Sequence, residues 1–263
     1  MLDNLSGATR LYPVVGDPIA QVKSPGGVTR AFEEQGADAI CYPVQVAPAD
    51  FATFIADARV TKNMDGLIIT VPHKFAAHDA CDRLSDRAAF LKSVNTIRRL
   101  PDGTLVGDMF DGLGFVAACQ DNGCDFAGKR ALLVGAGGAG TAIAHAVASA
   151  GVCELVLAEL DTARRDDLVA RLRAAEFNVT SGPADATGFD IVLNATPLGM
   201  REGDPTAVPL ETLRPGMFVG DVVTKPEVPP LIAAARGIGC RTSNGVAMFG
   251  KVRDLMVAFL LAR

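Results

Sequence analysis

A glycine cluster in the middle of the chain has the spacing of a phosphate-binding loop. Gly135, Gly137 and Gly140 form a G-x-G-x-x-G pattern between the apolar run 131–134 and an Ala-rich helical pattern. In such a loop, the first glycine permits a tight turn. The second lets a pyrophosphate approach the backbone, and the third lets the helix pack on the strand. An ordinary glycine-rich turn before a buried helix would have the same residues.

The strand that follows this helix favours a dinucleotide site. Residues 154–158 (ELVLA) are apolar after the first residue and lead into Glu159, about 20 residues beyond the loop, where an acidic side chain binds the ribose hydroxyls of a dinucleotide. The phosphates would lie on free N–H groups at the start of the helix. The cofactor-binding residues predicted in this part of the chain are Gly135, Gly137, Gly138, Ala139, Gly140 and Glu159.

Two charged residues in the first half of the chain are candidates for proton transfer. Lys74 follows a predicted strand at 67–71 and Pro72, and Asp111 lies at a later turn. Ligands of open parallel sheets bind beyond the carboxyl ends of the strands, so Lys74 is placed for chemistry there. Asp111 could stand beside it and orient the ammonium group. A solvated lysine that opens a helix and an aspartate that caps one would explain the same residues.

Alternating strand and helix patterns must position these residues. In the first half, strands at 11–15, 40–46 and 67–71 alternate with helices at 27–35 and 49–59. This alternation predicts an α/β fold in which parallel sheets carry helices on their faces. A short strand at 93–98, a predicted start of a helix at 114–119 and a final helix at 245–261 complete the pattern.

Composition excludes several classes of protein. The chain has 263 residues, of which 49% are hydrophobic, and a net charge of −5. The negative charge argues against nucleic acid or an anionic membrane as the partner, and no apolar run reaches the roughly 18 residues of a membrane span. The first residues lack the pattern of a secretory signal. Six cysteines without a C-x-x-C pair predict reduced, buried thiols in a cytoplasmic protein, and no metal site is predicted.

Together these motifs resemble the shikimate dehydrogenase family over almost the whole chain. Segment 15–25 is similar to the opening of the family, segment 70–74 (TVPHK) to its catalytic lysine segment, and segment 93–96 (SVNT) to its Ala-Val-Asn-Thr. Further matches are Asp111-Gly112, Asn194-Ala195-Thr196, Gly199-Met200, and Gly245 with Met248 in the last helix.

The resemblance implies reversible hydride transfer between a ring alcohol and a nicotinamide cofactor. Lys74 and Asp111 would be the catalytic pair, and Asn95 would hold a ring hydroxyl. The resemblance also implies that Ser24 and Thr70 bind the substrate. It further implies that the cofactor is bound by Asn194, Thr196, Val223, Gly245 and Met248.

A two-domain α/β architecture is implied as well. We expect a substrate-binding catalytic domain of residues 1–113 plus 242–263 and a Rossmann NAD(P)-binding domain of residues 114–241. The C-terminal helix would return to the first domain, and the active site would be the cleft between the domains. The expected assembly is a monomer or homodimer.

Several positions depart from the family pattern, mostly by exchanging a polar side chain for an apolar one. The changed positions are Val22, Ile68, Met109, Phe110, Thr224 and Val252. We therefore expect a ring acid that is less hydroxylated or larger than shikimate, with Val22, Phe110, Thr224 and Val252 lining its site. Lys23 or Lys251 could replace the lost contact to the substrate carboxylate, or both could be ordinary surface lysines.

The cofactor motif also departs from that of the NADP-using members. Glu159-Leu160-Asp161 occupies the place of their Asn-Arg-Thr, so a 2′-phosphate would lose an arginine and face a carboxylate. This predicts NAD as the cofactor in preference to NADP, with Arg164 left as a helix-face charge or a remaining phosphate contact. A regulatory protein that binds a dinucleotide without turnover is the alternative. The retained Lys74, Asn95 and Asp111 favour an enzyme.

Overall fold

A computed structural model describes residues 5–20 and 22–262. The chain forms two compact units, Met1–Phe110 with Arg253–Arg263, and Asp111–Val252. The first division thus falls after Phe110, and the second falls within the last helix. The sequence predicts these divisions at 113/114 and 241/242. Each unit contains one six-stranded sheet, and the predicted α/β class is confirmed.

The first unit has a mixed sheet with the strand order β2-β1-β3-β5-β6-β4. Its elements are β1 (Arg10–Gly16), α1 (Ser24–Glu34), β2 (Ala39–Gln45), α2 (Phe51–Val60), β3 (Gly66–Ile69), α3 (Lys74–Ala80), β4 (Arg83–Leu84), α4 (Asp86–Leu91), β5 (Thr96–Arg99) and β6 (Leu105–Asp108).

Strand β5 corrects the expectation of a wholly parallel sheet. It runs antiparallel to both β3 and β6, whereas β1 is parallel to β2 and β3. The link from β5 to β6 is a tight turn in which Leu100 N donates to Thr104 O at 2.8 Å and Gly103 has a φ of +89°. So short a link permits only an antiparallel hairpin.

The second unit has a wholly parallel sheet in the order β12-β11-β10-β7-β8-β9, the doubly wound Rossmann arrangement. Its elements are α5 (Asp111–Asp121), β7 (Arg130–Val134), α6 (Gly138–Ser149), β8 (Glu154–Ala158), α7 (Thr162–Ala174), β9 (Val179–Ser181), β10 (Ile191–Asn194), β11 (Phe218–Asp221), α8 (Pro230–Gly237), β12 (Arg241–Ser243) and α9 (Gly245–Leu261), whose last residues belong to the first unit.

Helix α5 begins at Asp111, three residues before the predicted start at Gly114. Close packing accounts for the glycines in its first turn. A Cβ at Gly112 would lie 2.1 Å from the carbonyl oxygen of Ala142 in α6, and one at Gly114 would lie 2.3 Å from a methyl group of Val252 in α9. The glycines that resemble a turn in the sequence therefore let three helices of the second unit approach closely.

The cysteines are all free thiols. Cys41, Cys119, Cys124 and Cys240 are buried, but Cys81 is half-buried and Cys153 is exposed, so the expectation of buried thiols is wrong for Cys153. Cys153 lies in the turn before β8, where its backbone N–H donates to Lys129 O at 2.9 Å and its side chain faces outward. Burial raises the pKa of the Cys41 and Cys81 thiols to about 12. Among the described residues, no helix is long and apolar enough to cross a membrane.

Candidate active site

The three loop glycines meet different requirements in the second unit. Gly135 has a φ of +102°, a conformation that favours glycine, and its N–H donates to Ala158 O at 2.8 Å. A Cβ at Gly140 would lie 2.1 Å from the carbonyl oxygen of Gly135, so α6 can pack on the loop only without a side chain there. A Cβ at Gly137 would meet nothing within 4 Å. The backbone is therefore open at Gly137, as it is at Gly138.

A cavity of about 710 Å³ lies beside this loop. Its volume suits a nucleotide, and the open backbone at Gly137 leaves room for a pyrophosphate at the start of α6. The residues around the cavity thus fit a dinucleotide. They include Gly135, Gly137, Glu159, Leu160, Arg164, Arg165, Thr196 and Leu198.

Glu159 joins the end of β8 to the glycine loop. Its carboxylate accepts hydrogen bonds from the backbone N–H of Ala136 at 2.8 Å and of Asp161 at 3.1 Å. Burial opposes its charge, but these bonds and the nearby Arg164 outweigh burial, and the pKa of Glu159 lies below its ordinary value. Arg164 is shared between two acids, at 3.3 Å from Asp161 and 4.0 Å from Glu159. The carboxylate is therefore ionised and fixed at the edge of the cavity.

A buried polar network connects the loops after β10 and β11. Asn194 Nδ2 donates to Asp221 Oδ2 at 3.1 Å, and Asn194 Oδ1 accepts from Thr196 N and Thr196 Oγ1 at 2.9 and 2.6 Å. Asp221 Oδ1 accepts from Val223 N at 2.8 Å. Of these residues, sequence reasoning assigned Asn194, Thr196 and Val223 to the cofactor site, but it gave Asp221 no role. The signal for Asp221 in the sequence is the apolar run 217–219 just before it, which is typical of a strand that ends near this residue.

The start of α9 packs tightly on the loop after β11. Gly245 N donates to Val223 O at 3.2 Å, and a Cβ at Gly245 would lie 2.2 Å from Val222 O. Met248 is half-buried one turn further along α9. The predicted cofactor residues Val223 and Gly245 are thereby brought together, and Gly245 is the residue that permits the approach.

In the first unit, Thr70, Lys74 and Asn95 meet at the end of β3. Thr70 follows this strand, and its N–H donates to Val15 O at 2.9 Å. Lys74 is the first residue of α3, and its carbonyl oxygen accepts from Val94 N at 3.0 Å. Asn95 O accepts from Ile69 N at 2.7 Å. These backbone bonds fix the three residues on one framework, where the Lys74 side chain is half-buried.

His73 anchors the segment before Lys74, a role that sequence reasoning missed. Its ring is 2% exposed and stacks on Phe51, with 4.5 Å between the ring centroids. His73 Nε2 donates to Val46 O at 2.7 Å. The buried ring thus holds the first turn of α3 against α2 and the end of β2.

Asn95 also fixes the end of the segment that leads to Asp111. Asn95 Oδ1 accepts from Phe110 N at 3.1 Å, and the ring of Phe110 packs on Phe259 with 5.4 Å between centroids. The guanidinium of Arg87 lies over the Phe110 ring, 5.0 Å from its centroid, and forms an ion pair with the buried Asp108. Phe110 is therefore a core residue. Asp111, the next residue, is buried at the start of α5.

The remaining predicted substrate residues differ in exposure. Val22 is half-buried just before α1, Ser24 is half-buried as its first residue, and Thr224 is exposed after β11. Val252 is buried against Gly114, so like Phe110 it packs inside the protein. Of the two lysines considered for a carboxylate, Lys251 pairs with Asp121 at 2.5 Å.

Comparisons with known proteins agree with this architecture. Residues 14–97 match the family model of the shikimate dehydrogenase substrate binding domain. The shikimate dehydrogenase (NADP(+)) of Rubrobacter xylanophilus is 36% identical over 250 residues, which cover 93% of this chain and 88% of the relative.

Two solved structures are similar over nearly the whole chain. A 5-ketofructose reductase of Gluconobacter sp. strain CHM43 has a TM-score of 0.91 at 26% identity and covers 98% of this chain and 95% of its own. Shikimate 5-dehydrogenase of Listeria monocytogenes, in complex with shikimate and NAD, has a TM-score of 0.89 at 28% identity. The match covers 97% of this chain and 93% of the Listeria chain. The two sheets, the glycine loop and these relatives together show that the chain belongs to the shikimate dehydrogenase family.

Proposed function

We propose that this protein catalyses reversible hydride transfer between a nicotinamide cofactor and a cyclic hydroxy or keto acid. The observation that carries the proposal is the backbone framework of Thr70, Lys74 and Asn95, in the unit that contains the match to the family's substrate binding domain. The dinucleotide-sized cavity and open glycine loop of the second unit support the cofactor half. The uncrosslinked thiols are typical of a cytoplasmic enzyme, which we expect to act as a monomer or homodimer.

Lys74 is the proposed proton carrier. When bound, the nicotinamide supplies or accepts the hydride at the substrate carbon. Lys74 gives a proton to the carbonyl oxygen during reduction and takes the hydroxyl proton during oxidation, and Asp111 orients the lysine. Proton transfer of this kind contributes about 10²–10⁴-fold to the rate. Anchoring of the preceding turn by the buried His73 supports a fixed position for the Lys74 backbone.

Asn95, Thr70 and Ser24 are the proposed polar contacts of the substrate. The hydrogen bond from Phe110 N to Asn95 Oδ1 fixes the orientation of the amide, so a hydroxyl that contacts its nitrogen meets a donor. Phe110 and Val252 are buried packing residues that limit the space around the site. They stand at positions where the family pattern has polar side chains, which could bind substrate hydroxyls. We therefore propose shikimate/3-dehydroshikimate or a less polar analogue as the substrate. The similar structure of a reductase named for 5-ketofructose supports variation in substrate on this fold.

We further propose that NAD is preferred to NADP. A 2′-phosphate beside the ribose would face the ionised Glu159, which is fixed on the loop, and Asp161. Arg164 is already shared between these two acids, and Arg165 pairs with Asp166 at 2.8 Å. The Rubrobacter relative is named for NADP(+), and the Listeria structure contains NAD, so the family accommodates either cofactor.

An absorbance assay of nicotinamide reduction tests both proposals. It crosses NAD and NADP with shikimate, quinate and less hydroxylated ring acids. Lys74→Ala should lower kcat by about 10²–10⁴-fold on the best substrate while leaving NAD affinity unchanged, because Lys74 moves the proton and the second unit binds the cofactor. Lys129→Ala removes an exposed lysine of the second unit and is the matched control, with wild-type kinetics expected.

The outcomes separate the alternatives. Efficient turnover of shikimate would identify shikimate, and not a less polar analogue, as the substrate of the proposed reaction. Equal activity of Lys74→Ala and wild type would refute the assignment of Lys74. Tight NAD binding without turnover of any ring acid would favour a regulatory dinucleotide-binding protein instead.

A further inference from the structure

We propose that Asp221 is a positioning residue that holds the binding surface for the nicotinamide end of the cofactor. The inference rests on the proposed function, because it assumes that the second unit binds a nicotinamide dinucleotide. In a doubly wound sheet, the dinucleotide lies across the point where the strand order reverses, here between β7 and β10. Glu159 follows β8 on one side of that point, so the nicotinamide half belongs to the side of β10 and β11.

Asp221 connects the two loops on that side through three other residues. Thr196 donates twice to Asn194, Asn194 donates to Asp221, and Val223 donates to the other oxygen of Asp221. Val223 O in turn accepts from Gly245 N at the start of α9. A single side chain thus fixes the relative position of the loop after β10, the loop after β11 and, through Val223, the start of α9.

A carboxylate is required at position 221 by the pattern of donors and acceptors. Asn194 Oδ1 is occupied by two donors from Thr196, so the Asn194 side chain must present its NH₂ group to residue 221. Val223 also presents an N–H. Both oxygens of Asp221 therefore act as acceptors. An asparagine at position 221 has one oxygen and can accept from only one of the two donors, Asn194 Nδ2 or Val223 N. Its own NH₂ group would then face the other donor, and that hydrogen bond would be lost.

The burial of Asp221 makes this arrangement specific. The side chain has no exposed surface, and burial raises its pKa to about 6, although the bonds from Val223 and Asn194 act in the opposite direction. Among the described residues, no cation offsets the effect of burial on the pKa of Asp221, so this buried carboxylate is a cost to folding. Its hydrogen bonds join loops that the proposed cofactor site uses, which gives a functional reason for the cost.

Calorimetry with NAD and ADP-ribose tests the assignment. ADP-ribose lacks the nicotinamide, so a positioning role at that end affects NAD alone, whereas general damage to the fold weakens both ligands. Asp221→Asn should weaken NAD binding by about tenfold or more, the effect of one lost hydrogen bond to a charged group. Its affinity for ADP-ribose should stay within about twofold of wild type.

The exchanged pair Asn194→Asp with Asp221→Asn is the matched rescue variant. Asp at 194 can accept from Thr196 with one oxygen and from the new amide at 221 with the other, and that amide can accept from Val223. Every bond of the network is kept, and only the 3.4 Å contact from Asn194 Nδ2 to Leu198 O is lost. The exchanged pair should therefore recover the wild-type ratio of NAD to ADP-ribose affinity.

Three results would overturn the assignment: wild-type NAD affinity in Asp221→Asn, equal weakening of both ligands, or no recovery in the exchanged pair. If Asp221→Asn does not fold, the exchanged pair decides alone, because its affinity ratio either matches wild type or does not. Wild-type protein that binds neither ligand would instead refute the proposed function.

Discussion

Replacement of Gly137 by alanine should separate cofactor binding from folding. A Cβ at this position would meet no heavy atom within 4 Å, and the φ of −68° is accessible to alanine. Gly137 is the N-cap of α6, so the expected cost is that of a poorer cap, about 1 kcal/mol or less. The added methyl group would stand where a pyrophosphate approaches the backbone, so binding should suffer far more than stability.

Gly140→Ala is the contrasting variant in the same loop. A Cβ at Gly140 would lie 2.1 Å from the carbonyl oxygen of Gly135 and 2.8 Å from its carbonyl carbon. Both are backbone atoms, so the loop or α6 must move, and such overpacking costs about 1–3 kcal/mol. Each kcal/mol lowers the midpoint of thermal unfolding by about 2–4 °C in a protein of this size.

Thermal unfolding and NAD calorimetry on the two variants provide the assay. Gly137→Ala should keep its unfolding midpoint within about 4 °C of wild type and lose about tenfold or more in NAD affinity, because contacts to charged phosphates are weakened. Gly140→Ala should lose both stability and affinity. Wild-type NAD affinity in Gly137→Ala would refute the reasoning, as would a loss of stability in that variant as large as in Gly140→Ala.

Three further outcomes are expected. Glu159→Gln should raise kcat/KM with NADP relative to NAD by about tenfold, because removing one charge near a 2′-phosphate removes about 1 kcal/mol or more of repulsion; an unchanged ratio in steady-state kinetics would contradict the role of Glu159. The raised pKa of Asp221 means that the native state binds its proton more tightly than the unfolded state, so its contribution to stability is present below about pH 4 and is lost as pH rises through about 6. This amounts to about 3 kcal/mol, so in urea unfolding the stability of wild type relative to Asp221→Asn should be about 2–3 kcal/mol lower at pH 7 than at pH 4, and a relative stability that does not change with pH would contradict the raised pKa. Phe110→Ala should reduce the free energy of unfolding by about 3–5 kcal/mol in urea, because the ring is buried between Arg87 and Phe259; a loss below about 1 kcal/mol would indicate a surface role.

The sequence was sufficient to predict the α/β class and the family. The glycine spacing and the apolar runs around it depend on local backbone geometry, which adjacent residues determine. The strand order of the second unit follows from that pattern because parallel strands linked by helices have few arrangements. Motifs in the sequence predict Lys74 and Asn95 as site residues, whereas their common framework depends on the backbone bonds of Val94 and Ile69.

Other features depend on contacts between distant parts of the chain. The antiparallel β5 is set by its hairpin with β6, and the burial of Phe110 depends on Phe259, far away in the sequence. Asp221 resembled the polar end of an ordinary strand. Its role required the positions of Asn194 and Val223, which no spacing rule predicts.

The exposed Cys153 gives this protein a specific chemical handle. The thiolate is the nucleophile that attacks reagents such as maleimides, and burial opposes its formation at Cys41, Cys81, Cys119, Cys124 and Cys240. Cys153 stands before the first residue of β8, whereas Glu159 follows the last, so a strand length of about 17 Å separates it from the cofactor cavity. A maleimide dye should therefore label native protein at one position and report dinucleotide binding without occupying the site.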